Sequence, residues 1–155
     1  MSRKRQRSKS QRIAKPRGVI DTSVLVAGIA GMKHTIYASN AASAHLLQRW
    51  VDTKPFVWLI TEDVVDEYKS VLALCGVRPH VIGRVVNLLR KRAEMVRPGP
   101  SLNISPDPDD NHICDCAEYG EADFIVTLNA KDFPQDRLHA KVITPDQRIP
   151  GLPSV

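Results

Sequence analysis

Short apolar runs alternate with longer stretches of helical periodicity along this chain. Val19-Ile20 forms a brief apolar run that stops at Asp21-Thr22-Ser23 and resumes as Val24-Leu25-Val26-Ala27, the pattern of a buried strand turning into a helix. Gly31 to Asn40 reads as a polar connector, with Ser39 or Asn40 capping a helix to about Thr53 that carries Leu46, Leu47, Trp50 and Val51 on one face. Phe56 to Ile60 reads as a second strand, and Thr61 caps the helix that follows. In that helix Val64, Val65, Tyr68, Val71, Leu72 and Cys75 make a clear apolar stripe. Glu67 lies roughly 90 to 100° from the centre of the stripe, at its edge, whereas Asp66 is nearly opposite.

Pro79 opens a further helix with Val81, Ile82, Val85, Val86 and Leu89 inward, closing on Arg90-Lys91-Arg92. Glu94 to Arg97 is an expected third strand, followed by a loop from Pro98 to Pro106. A helix from Asp109 or Asp110 to Tyr119, stopped by Gly120, leads to strands at Asp123 to Leu128 and Lys141 to Thr144. Strands alternating with helices predict an α/β fold on a parallel sheet of four or five strands. No internal repeat is visible.

With 155 residues, 43% hydrophobic and 25% charged, the chain matches one globular domain. It contains no apolar run of the roughly 18 residues that a membrane span requires, and its basic N-terminus lacks the apolar core of a secretory signal. Three cysteines without framework spacing point to free thiols and a cytoplasmic protein.

The net charge of +5 is unevenly distributed. Residues 1–17 carry eight Lys or Arg and no acid, leaving 14 basic against 17 acidic residues in the rest. The expected organisation is a disordered basic tail (1–17), a folded domain (18–148) and a C-terminal tail (149–155). The N-terminal tail could hold nucleic acid electrostatically or serve as a solubilising extension. Arg90, Lys91 and Arg92 are candidate RNA contacts, although cations also suit a helix C-terminus.

Carboxylates are the candidate chemistry. Asp107-Pro108-Asp109-Asp110-Asn111 packs three of them into five residues, where one would serve as a helix cap. Asp21 ends the first strand, and Asn129 and Asp132 follow the fourth. In open α/β sheets that edge is where ligands bind. Oxygen donors from separate segments match the needs of Mg2+ or Mn2+, and such an ion would promote hydrolysis of a phosphodiester. His112, Cys114 and Cys116 invite a zinc reading, but Cys114 points away from the face His112 and Cys116 share, and no second ligand pair exists.

Taken in order, Asp21-Thr22-Ser23-Val24-Leu25, Glu67-Tyr68, Asp107 to Asn111, and Ile125-Val126-Thr127 through Asp132-Phe133 resemble the PIN-domain ribonucleases, in particular the toxin components of bacterial toxin-antitoxin pairs (VapC-like). The resemblance covers Arg17 to Asp146 and implies a three-layer α/β/α fold with Mg2+- or Mn2+-dependent endoribonuclease activity. It also implies an RNA substrate, a protein antitoxin and pairing into a homodimer. By that resemblance Asp21, Glu67, Asp110 and Asp132 are the catalytic, metal-binding acids, Asn129 competing with Asp132 for the fourth position. Thr22, Ser23, Thr127 and Asn129 are supporting residues, while Asp107 and Asp109 shape the turn and cap the helix. The alternatives are a non-catalytic RNA-binding or antitoxin-partnering module on the same scaffold, and a receiver-like or phosphatase-type site with Asp21 as the phosphorylated nucleophile.

Overall fold

The computed structural model describes residues 14–33 and 38–152. Five strands, β1 (Arg17–Ile20), β2 (Val57–Ile60), β3 (Glu94–Met95), β4 (Phe124–Val126) and β5 (Lys141–Ile143), form one sheet in the order β3-β2-β1-β4-β5. Every pairing is parallel, which requires a crossover between successive strands. The crossovers are α1 (Thr22–Lys33) and α2 (Ala38–Thr53), then α3 (Glu62–Leu74) and α4 (Pro79–Arg92), then α5 (Asn111–Tyr119). The α/β class and the five-stranded parallel sheet match expectation. Successive strands step outward from β1 to β3, after which the chain returns to β4 on the other side. Right-handed crossovers therefore place α5 on the face opposite α1 to α4. The reversal between β1 and β4 opens a crevice at the carboxyl ends of those two strands.

The core follows from strands covered on both faces: Val19, Ile20, Phe124, Ile125 and Val126 are fully buried, and Leu59 and Ile60 with them. Trp58 stands edge-on to Trp50, with centroids 4.9 Å apart, and to Tyr68 at 6.4 Å. No helix among the described residues is long and apolar enough to cross a membrane.

Several local expectations change. Gly31 is no connector: α1 runs on to Lys33 and α2 begins at Ala38, so Ser39 and Asn40 lie within a helix. The glycines serve close packing instead. A Cβ on Gly28 would lie 2.3 Å from the Leu47 side chain, and one on Gly31 2.3 Å from the Asn40 carbonyl oxygen. Arg17, assigned to the basic tail, is instead the first residue of β1 and is buried. Its guanidinium pairs with both Glu94 carboxylate oxygens, at 3.0 and 2.6 Å, and donates to the Gly120 carbonyl. The rest of the expected tail, residues 1–13, lies outside the described residues, as do 34–37 and 153–155. Ile149, assigned to the C-terminal tail, is buried in the core.

The third strand is shorter than expected. Only Glu94–Met95 pair as a strand, both exposed, with one further bond from the Val96 amide to the Ile60 carbonyl. Gly120 ends α5 without adopting a left-handed conformation, since its φ is −85°. Glu121 takes that role (φ 53°), with the Glu121 and Ala122 amides bonding back to Glu118 and Ala117. Gly120 is needed for space: a Cβ there would sit 2.9 Å from both Leu59 and Val96.

Candidate metal centre

Asp21 leaves β1 at the crevice, its amide bonded to the Val126 carbonyl across the sheet at 2.8 Å. It is 3% exposed, and one carboxylate oxygen accepts hydrogen bonds from the Ser23 hydroxyl (2.7 Å) and the Thr127 hydroxyl (2.8 Å). Both hydroxyls are anchored from behind. Ser23 Oγ accepts the Leu128 amide, and Thr127 Oγ1 the Asn129 amide. Burial pushes the Asp21 pKa up, partly offset by the hydrogen bonds from Ser23, Thr127 and the Thr22 backbone, while Asp132 adds repulsion.

Glu67 arrives from α3. Tyr68, fully buried beside it, donates to the Ile20 carbonyl at the end of β1 and so ties this turn of α3 to the strand that presents Asp21. The Thr22 hydroxyl then donates directly to Glu67 Oε2. Desolvation raises the Glu67 pKa, the Thr22 hydrogen bond lowers it, and Asp21 and Asp109 raise it further.

The acidic turn differs from the expected helix start. Pro108–Asp110 is a single 3-10 turn, and α5 proper begins at Asn111. Three residues per turn bring positions i and i+3 into line, so Asp107 and Asp110 share a side. Asp107 does accept the Asp109 amide at 3.0 Å, as a cap should. It also joins Asp110 and Asp132, and a carboxylate oxygen from each lies within 4.8 Å of the other two. Reading Asp107 only as a turn residue missed this. The spacing of three across a proline-started turn was the available signal. Asp132 is carried on another short 3-10 turn, Ala130–Asp132, and its carbonyl accepts the Ser105 hydroxyl at 2.7 Å.

Asp110 feels the whole group. Its pKa is pushed up to about 7, first by burial and then by Asp21, Asp107, Asp132 and Glu67. The four expected acids, with Asp107, thus form one electrostatically coupled cluster at the crevice. Asn129 lies alongside, with its backbone accounted for by Thr127 and Asp132. The oxygen donors of Asp107, Asp110 and Asp132, all carboxylates, are chemically suited to a hard divalent cation, and this group could hold one.

The thiols are poorly suited to zinc. Cys114 and Cys116 are buried, and burial pushes Cys114 up to about 12 and raises Cys116 as well, so neither offers a thiolate. The basic cluster is already engaged in part. Arg90 makes a two-pronged pair with Glu62 at 2.9 and 3.0 Å, and Arg92 lies over the Trp50 ring while donating to the Val51 carbonyl.

A parallel α/β domain thus presents clustered carboxylates at its switch point. The family model described as PIN domain matches residues 17–131, and the chain belongs to that family. PIN domains are generally metal-dependent nucleases. No curated protein matches the chain.

Proposed function

We propose that this protein is a Mg2+- or Mn2+-dependent endoribonuclease and the toxin of a toxin-antitoxin pair. The observation that carries the reading is the convergence of Asp21, Glu67, Asp110 and Asp132 from four separate segments, with Asp107 beside them. In this reading Asp21, Glu67, Asp110 and Asp132 would hold the cation. What a bound cation supplies is a lowered pKa for water and neutralisation of phosphate charge. Thr22, Ser23 and Thr127 hold Glu67 and Asp21 in place, so the carboxylates need little rearrangement on binding.

The toxin role and a protein antitoxin are proposed from the resemblance in the ordered motifs. Arg90 and Arg92 do not carry the proposal, because the Glu62 carboxylate already balances Arg90 and the Arg92 guanidinium is held over the Trp50 ring. The test is cleavage of RNA with Mg2+ or Mn2+ by the wild type and Asp21→Asn, together with growth of cells in which each is induced. Metal-dependent cleavage and growth arrest that Asp21→Asn abolishes are expected. RNA binding with no metal-dependent turnover would favour the non-catalytic module instead.

A further inference from the structure

Away from the acids, a groove of about 740 Å3 runs between α2 and the segment that follows β5. Leu46 and Ile149 line it, and its charged groups are Arg49 and Arg148 with His45 and Asp146. Asp146 is engaged by the Thr144 hydroxyl at 2.5 Å. Arg148 is steadied by its bonds to the Leu152 carbonyl, at 3.3 and 3.2 Å. Fixed positive charge therefore exceeds negative in this groove even with His45 neutral.

Both ends of the segment are informative. It starts just after Ile143, whose carbonyl accepts the amide of Thr127, the residue that holds Asp21. One wall of the groove is thus continuous with the strand edge bearing the acids. At the other end Gly151 sits beside Pro16, where the N-terminal segment enters the fold. Residues 1–15 of that segment contain seven Lys or Arg and no acid. Among the described residues lining the groove there is no Phe, Tyr or Trp, and its one ring is the His45 imidazole.

We propose that this groove is an auxiliary channel for the phosphodiester backbone of single-stranded RNA, with Arg49 and Arg148 as its phosphate contacts. The proposal rests on the ribonuclease reading, since it takes RNA as the ligand. Contacts of this kind position a strand without reading its sequence and release counterions on binding. A strand lying here extends the grip on RNA beyond the acidic crevice, so long substrates gain from it and very short ones do not.

The experiment uses the full-length protein and a labelled oligouridylate in EDTA, with affinity followed by fluorescence anisotropy across a salt series. Single-strand contacts contribute about 0.7 each to the log–log salt slope, so Arg49→Gln/Arg148→Gln should reduce it by about 1.4 and Arg49→Gln alone by about 0.7. With Mn2+ present, cleavage of a long oligonucleotide should slow while that of a short one is unchanged. The single variant guards against a folding defect from loss of the Arg148–Leu152 contact. An unchanged salt slope in both variants overturns the proposal. So does capture of polyglutamate by this face with RNA binding unaffected, which would assign the groove to an acidic protein segment. Absence of cleavage with any metal would defeat the ribonuclease reading, while the salt slopes would still decide the groove.

Discussion

Asp110→Asn should make the metal-free protein more stable at alkaline pH, although it removes a proposed metal ligand. Asp110 is half-buried, is ringed by Asp21, Asp107, Asp132 and Glu67, and has a pKa pushed up to about 7. Its side chain makes no capping hydrogen bond at the start of α5, so asparagine forfeits none. Between about pH 4 and pH 7 the folded chain keeps a proton that the unfolded chain has released. Stability therefore falls as pH rises through that window, and the loss is complete above it. Moving a carboxyl from its usual range to about 7 corresponds to about 4 kcal/mol, and solvent screening at a half-exposed group reduces this to about 1 kcal/mol. For a chain of this size, that amounts to a rise of about 2–4 °C in the melting temperature.

The assay is thermal unfolding in EDTA at pH 5 and pH 8, repeated with Mn2+. In EDTA at pH 8 Asp110→Asn should melt above the wild type, and the gap should narrow at pH 5. A weaker pH dependence should persist in the variant, because burial also raises the Asp21 and Glu67 pKa values. At Mn2+ one hundred times its Kd the wild type should gain about 2.7 kcal/mol, and the variant much less. An Asp110→Asn protein no more stable than the wild type at pH 8 in EDTA, or one equally stabilised by Mn2+, would refute the electrostatic account.

Thr127→Val removes the buried hydroxyl that donates to Asp21 and accepts the Asn129 amide, and should cost about 1–3 kcal/mol in urea unfolding while weakening Mn2+ binding. Tyr68→Phe leaves the Ile20 carbonyl without its phenol donor, costing about 1–2 kcal/mol, and a drop in metal-dependent cleavage larger than the stability loss explains would mark Tyr68 as a positioning residue for Glu67. Arg17→Met strands the Gly120 carbonyl and breaks the pair with half-exposed Glu94, with about 2 kcal/mol expected by denaturant titration; unchanged stability would return Arg17 to the tail. Gly18→Ala should be among the worst small substitutions, at about 3 kcal/mol or more, since its Cβ would fall 2.1 Å from the Phe124 ring.

Local pattern was enough to establish much of this protein. Short apolar runs, alternating with helical periodicity through most of the chain, determined the α/β class, the strand order along the chain and the position of Asp21 at a strand end. Those features depend on neighbours within a turn or two, which is where periodicity and capping act. Tertiary structure alone decided what distant residues do for one another. Arg17 looked like the last charge of a basic tail because its partners, Glu94 and Gly120, lie 77 and 103 residues away. Gly31 looked like the start of a polar connector, whereas Gly28 and Gly31 admit the backbone and side chains of α2. Asp107 was legible as a cap, but its approach to Asp132 depends on β4 lying beside β1 and on the short turn that follows. Thr22 meets Glu67 only because the buried Tyr68 pins α3 to the end of β1. Side-chain direction is written locally, but which side chains meet is set by how the whole sheet packs.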